Sequence, residues 1–165
     1  MPDAEGVPWS SVEDEAPGVA QAVRACFDAR RMKCLATMRR NGWPRLSETS
    51  GVLLAEGQLW LALIHSAKAR DLHADARVGI HCGSPSDEWR TSARVTGWAR
   101  PATPELRDRL YAARPELASR GSSIELMTVA ATEVVITGPD PESGQIAIEW
   151  WNAATGTGRS TRPGG

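Results

Sequence analysis

Two short turn signals constrain the fold more than anything else in this chain. Asn41-Gly42 separates the apolar run Lys33–Met38 from the mixed run Pro44–Leu54. Glu56-Gly57 then separates that run from Gln58–Ile64. Connections this short join antiparallel neighbours, whereas a parallel pair needs a crossover of a dozen residues or more. A doubly wound parallel sheet is therefore excluded. Gln58–Ile64 is apolar on both faces and reads as a central strand covered on each side.

The rest of the chain fits that start. Residues 1–16 are polar and acidic and read as an arm. A helix is expected from Pro17 to Arg30, with Val19, Val23, Cys26 and Phe27 at helical spacing. Strands follow at Arg77–Cys82, Thr91–Ala99, Met127–Thr137 and Gln145–Trp151, with a loop at Gly83–Asp87. Thr103-Pro104-Glu105 is an N-cap, a proline at the first helical position and an acid in the first turn. That helix stops before Pro115. The expected organisation is an arm (1–16), one barrel domain (17–155) and a Gly-rich tail (156–165). Several short hairpin links favour a mainly antiparallel sheet closed into a barrel, with helices packed outside.

Composition removes some functions. A formal net charge of -1 gives no bulk attraction to nucleic acid or to an anionic membrane. No apolar run is long enough to span a bilayer. Met1–Gly6 lacks the basic and apolar regions of a signal peptide. Cys26, Cys34 and Cys82 match neither a disulfide framework nor a zinc pattern, so reduced thiols in a cytoplasm are expected. No G-x-G-x-x-G, P-loop or G-x-S-x-G is present. His65, His73 and His81 are evenly spaced but fall at a strand end, on a helix and on a strand.

The residues with most chemical promise lie after the central strand. Ser66 is a good N-cap, and Lys68 and Arg70 fall in the first turn of the helix it opens. Cations there oppose the helix macrodipole, so free N–H groups, a hydroxyl and two cations form a candidate anion site, most simply for a phosphate. The second strand places Arg45, Ser47 and Thr49 on one face and Leu46, Glu48 and Ser50 on the other. So many hydroxyls mark either an exposed edge or a polar pocket wall. Near the end, Trp150-Trp151 precede a Gly-rich stretch with Arg159. Either an indole is core, or an indole and Arg159 complete a pocket, in the same or a partner subunit.

In order along the chain, these segments resemble the pyridoxamine 5′-phosphate oxidase-like family of flavin-binding split β-barrels. Leu35-Ala36-Thr37-Met38 with Asn41-Gly42-Trp43-Pro44-Arg45 resembles the family's opening hairpin. Gln58-Leu59-Trp60-Leu61 with Ser66-Ala67-Lys68-Ala69-Arg70-Asp71-Leu72 resembles its Ser-x-Lys segment. Ala74-Asp75-Ala76-Arg77-Val78 and the Trp151–Arg159 ending each carry alanine, Ala76 and Ala153, where proline is common. The resemblance implies a six-stranded antiparallel split barrel with flanking helices, and a homodimer holding two cofactors at its interface. It implies FMN, or the deazaflavin F420, with Ser66 and Lys68 on the phosphate. Arg45, Ser47, Thr49 and Ser50 would lie beside the ring and ribityl chain, with Arg70, Trp151 and Arg159 completing the site.

The implied activity is flavin-dependent oxidation or reduction of a small organic substrate. Ser47 and Glu48 depart from the family's basic second strand, so vitamin B6 oxidation is not expected. F420 has a polyanionic tail that Arg70, Arg77, Arg90 and Arg94 could serve. The alternatives are a flavin or haem binder without turnover, haem using one of the three histidines, or a specialised-pathway enzyme on the same barrel that has lost the flavin.

Overall fold

The computed structural model describes residues 5–83 and 91–164. Of the segment expected as an arm, residues 7–16 pack into the core. Val7 exchanges backbone hydrogen bonds with Ala131, and Trp9–Glu15 forms α1. Trp9 and Val12, three apart and so on one helical face, are both fully buried.

Pro17 opens α2 (Pro17–Asp28), which buries Val19, Ala20, Val23 and Phe27. It ends earlier than expected. Lys33, at the start of β1 (Lys33–Met38), turns inward and its Nζ donates to the carbonyls of Phe27 (2.8 Å) and Arg30 (2.5 Å). An ammonium on the last carbonyls of a helix satisfies groups that have no partner within it. Burial pushes the Lys33 pKa down.

A loop at residues 39–43 leads into β2 (Pro44–Thr49). Only Gly42 takes a positive φ there, at 82°. The expected second strand is two strands. β2 stops at Thr49 and β3 (Val52–Ala55) begins after Gly51. Gly51 accepts the Ala62 N–H at 2.7 Å, and a Cβ on it would stand 1.9 Å from the Ala62 oxygen. Glu56 (φ 52°) and Gly57 (φ 67°) form the tight hairpin to β4 (Gln58–Ile64). As expected, β4 is covered on both faces. Leu59, Leu61 and Leu63 join the main core, while Trp60 lies in a second cluster with Leu110, Ile124 and Leu126.

Ser66 caps α3 (Ala67–Ala74), its hydroxyl accepting the Ala69 N–H. β5 (Arg77–Cys82) and β6 (Ser92–Pro101) follow. Beyond Gly83, the expected 83–87 loop lies outside the described residues. Thr103 caps α4 (Pro104–Ala113), which stops before Pro115 as expected, and Pro115 begins a further short helix, α5 (Pro115–Ala118). A 3-10 turn at Gly121–Ser123 enters β7 (Ile124–Pro139). The chain ends with β8 (Ile146–Asn152) and β9 (Gly156–Arg162). The expected Gly-rich tail is thus largely a strand, paired to β8 from Asn152↔Gly156 to Ile146↔Arg162.

All the described pairings are antiparallel, in the order β2-β1-β5-β6-β7-β4-β3, with β8 on β7 and β9 on β8. The mainly antiparallel sheet with flanking helices holds. The strand number is nine rather than six, and the hydrogen-bonded path does not close. Gly51 splits one strand, the tail adds another, and β7 serves two partners along one edge. Its first half pairs β4 and its second half pairs β8.

One buried carboxylate ties α3 to the barrel. Asp71 is 7% exposed and accepts from Thr37 Oγ1 of β1 (2.9 Å) and Arg45 Nε of β2 (2.6 Å). The hydrogen bond from Arg45 is the main reason its pKa lies below the usual carboxylate range; burial opposes the shift and Thr37 adds to it.

A carboxyl more acidic in the folded chain than in the unfolded one contributes stability that is complete above the unfolded value, near pH 4. That contribution is lost as pH falls through the lower folded value. Asp71→Asn is expected to lower stability by about 1–3 kcal/mol at pH 7, with the deficit shrinking towards pH 3. Urea midpoints at the two pH values measure it, and an equal deficit at both would break the assignment. Trp9→Ala is expected to cost about 3–5 kcal/mol. A loss under about 1 kcal/mol would return α1 to the status of an arm.

Candidate functional site

α3 begins where β4 ends, and Asp71 holds it against β2. Lys68 therefore reaches over the strand, and its Nζ donates to the Glu48 carbonyl at 2.7 Å. Beneath it lies a cleft of about 370 Å³. Lys68, Thr49 and Ser50 line it, as does Glu48. The opposite side is supplied by Arg114, Leu117 and Arg120, from the end of α4 through α5. A volume of this order lies within the range of small-molecule sites.

The candidate residues divide. Thr49, Ser50 and Lys68 come together in the cleft. Arg45 and Ser47 share the inward face of β2 with Thr49, as the alternation predicts, but neither lines the cleft. Arg45 is committed to Asp71. The Ser47 hydroxyl is buried without a hydrogen-bond partner among the described residues. Ser66 and Arg70 line a different, larger cavity on the other side of α3. Ser66 is the extended residue before the helix and its hydroxyl is turned to the Ala69 N–H, so it does not line the Lys68 cleft.

Trp151 is fully buried in the main core, its Nε1 donating to Glu15 at 2.8 Å, so the core reading of this indole holds. Arg159 sits on β9, bonded to Asp140 (2.8 Å) and Glu149 (3.2 Å). Its β8 partner Glu149 pairs with Ile136, whereas Ser66 follows Ile64, which pairs with Ile124. A dozen residues of β7, about 40 Å of strand, separate those levels. The structure does not bring Arg159 or Trp151 to the α3 site within one chain.

The other candidates disperse too. Arg77 pairs with Asp75, and Arg94 with Glu133. Arg90 lies outside the described residues. His65 Nε2 meets the Ser122 carbonyl at 3.0 Å, His73 pairs with Glu125, and His81 is exposed on β5. Among the described residues no cluster of three or more His, Cys, Asp or Glu could hold a metal. Asp71, Arg114 and Arg120 were not singled out in the sequence. The two arginines belong to a helical segment beyond Pro115 or at its edge, where the sequence suggested only a stop.

The cleft suits an anion-bearing cofactor. It joins an ammonium, two guanidiniums and two hydroxyls. Glu48 lines it as well, and its main-chain oxygen helps to place Lys68.

Comparison with known proteins agrees with this architecture. No curated protein matches the sequence significantly. Among solved structures, a pyridoxamine 5′-phosphate oxidase-related, FMN-binding protein from Nostoc punctiforme is similar, with a TM-score of 0.64 and 17% identity over 94% of this chain and 100% of that one. PhzG from Burkholderia lata, in complex with tetrahydrophenazine-1-carboxylic acid, is similar with a TM-score of 0.64 and 12% identity over 99% and 97%. A haem-binding protein from Mycobacterium smegmatis gives a TM-score of 0.57 and 22% identity, over 88% of this chain and 58% of that one. At these identities the likeness is one of fold. The model for the pyridoxamine 5′-phosphate oxidase family matches residues 19–137, well over half of the sequence, and the chain belongs to that family.

Proposed function

We propose that the chain is a flavin-dependent oxidoreductase that binds FMN, or F420, in the cleft beneath Lys68 and acts on a small organic substrate. The Lys68–Glu48 contact carries this reading. It positions an ammonium at the mouth of a cleft whose walls supply Thr49, Ser50, Arg114 and Arg120. An ammonium has three donors; one is used on the Glu48 carbonyl, and two remain for phosphate oxygens. The FMN-binding neighbour from Nostoc punctiforme supports the same choice.

When bound, the flavin supplies hydride chemistry, and the protein supplies orientation and electrostatics. Lys68 holds the phosphate, Thr49 and Ser50 donate hydroxyls along the wall, and Arg120 favours an anionic group on the far side, beside Arg114, whose Nε is already bonded to Glu116. FMN needs fewer cations than F420, whose tail would have to find arginines that the fold disperses.

The second copy of the chain belongs on the outer face of β2-β1-β5-β6. Leu46, Ala36, Gly79 and Thr96 form one register row across it. Leu46 is 72% exposed and Trp43, in the adjoining hairpin, 70%. A groove of about 560 Å³, lined in part by Ala36, Met38, Pro44 and Trp98, continues the same face. Large apolar groups exposed beside small ones favour self-association. Arg159 and the end of β8 would reach the cleft only from that second copy. The free thiols of Cys26, Cys34 and Cys82 suit a cytoplasmic setting.

Haem without turnover is the alternative, supported by the Mycobacterium smegmatis neighbour. It requires an axial ligand; the Nε2 atoms of His65 and His73 are already bonded, which leaves His81, exposed on β5. An absorption spectrum of the purified protein, as isolated and on titration with FMN, F420 and haem, separates these readings. Saturable binding of one flavin is expected; a Soret band would move the assignment to haem, and no binding would mean a barrel that has lost the flavin. Lys68→Ala is expected to weaken flavin binding by about 1.5–3 kcal/mol, and unchanged affinity would remove the cleft from the reading. Light scattering at micromolar concentration is expected to give a dimer, and Leu46→Glu a monomer. A monomeric parent protein would count against an interface cofactor.

A further inference from the structure

A second cavity, of about 880 Å³, lies on the far side of α3 from Lys68. Its walls are α3, the end of β6, α4, the 3-10 turn and the start of β7. Ile64 lines the Lys68 cleft and its register partner Ile124 lines this cavity, so the two spaces flank one strand pair. Ala69, Ala102, Ile124 and Leu126 give it an apolar floor.

Its charge is unbalanced. Arg70, from α3, and Arg107, from α4, both line it, and neither side chain has a hydrogen-bond or ion-pair partner among the described residues. Nearby arginines do have carboxylates: Arg45 has Asp71, Arg109 has Glu56 and Arg114 has Glu116. Glu125 is the cavity's only carboxylate, and His73 occupies it. Tyr111 also lines the cavity, and its hydroxyl has no hydrogen-bond partner among the described residues. The Ser66 oxygen accepts from the helix, which leaves its own proton to donate.

We infer that this cavity is a separate binding site for a small organic oxyanion, a carboxylate or phosphate monoester carried on a planar apolar body. The two guanidiniums and the Ser66 and Tyr111 hydroxyls take the oxyanion, since planar forks of N–H donors match its geometry. The alanine and aliphatic floor takes the body. No flavin is needed for this site, and Lys68 has no part in it.

The test is amide NMR on the ¹⁵N-labelled full chain, titrated with benzoate, phenyl phosphate and the neutral benzyl alcohol. At least one anion is expected to give saturable shifts centred on Ser66, Arg70, His73, Ser122 and Glu125. Benzoate alone would identify a carboxylate site, phenyl phosphate alone a phosphate-ester site, and both the shared chemistry. Arg70→Gln combined with Arg107→Gln is expected to weaken the anion roughly tenfold or more, while Lys68→Ala leaves it unchanged. If the double variant does not fold, each single variant is read instead. Shifts centred on Thr49, Ser50 and Lys68, equal binding of benzyl alcohol, no saturable shift from either anion, or unchanged affinity in the arginine variants would each overturn the inference. The Lys68→Ala flavin titration is read separately, so either site can fail without the other.

Discussion

The position of α3 depends on one buried carboxylate. An eight-residue helix is too short to hold its shape alone and needs a tertiary anchor. Leu72 and Ala69 supply apolar contact, but apolar packing is non-directional. Asp71 supplies direction, because Thr37 of β1 and Arg45 of β2 both converge on one of its oxygens. That geometry fixes how far α3 stands from β2, and so brings Lys68 within reach of the Glu48 carbonyl. It also commits Arg45, which resembles a ligand-binding residue in sequence, to holding the site together.

β7 gives the second constraint. Sixteen residues long, it keeps β6 along one edge while changing from β4 to β8 on the other. The change separates the molecule into two ends. The α3 end holds both cavities beside α3, and the β8–β9 end holds Trp151 and Arg159. Close backbone contacts make the hand-over possible. Gly97 sits at the register shift between β6 and β7, and a Cβ there would stand 2.1 Å from the Ala130 oxygen.

What the sequence showed depended on the range of the interaction. Ser66, Thr103 and Glu56-Gly57 act within four residues of themselves, and their caps and turn were legible. So was the alternation of β2, which correctly put Arg45, Ser47 and Thr49 on one face. The arm and the tail were misread because their partners are remote. Trp9 is buried by strands far along the chain, and β9 pairs along the edge that β8 offers it; its two glycines give little strand propensity of their own, although Thr157 and Thr161 favour a strand. The cleft was half legible for the same reason. Lys68 announced itself as a cation at the wrong end of a helix, whereas Arg114 and Arg120 gain meaning only when α5 folds back towards β3.

That misplaced charge resolves into two different situations. A cation in the first turn of a helix faces the positive end of the macrodipole. Lys68 offsets this by donating to a main-chain carbonyl of β2, so its ammonium is already oriented and carries spare donors into the cleft. Arg70, two residues on, points across the helix and has no such acceptor. Its guanidinium shares a cavity with Arg107, which is likewise without a partner among the described residues. Two like charges facing one apolar-floored space repel each other unless an anion lies between them. One short helix thus presents a prepared cation to one side and, to the other, a cation with no ion-pair partner among the described residues. The same local sequence signal, cations after an N-cap, therefore leads into two cavities rather than one.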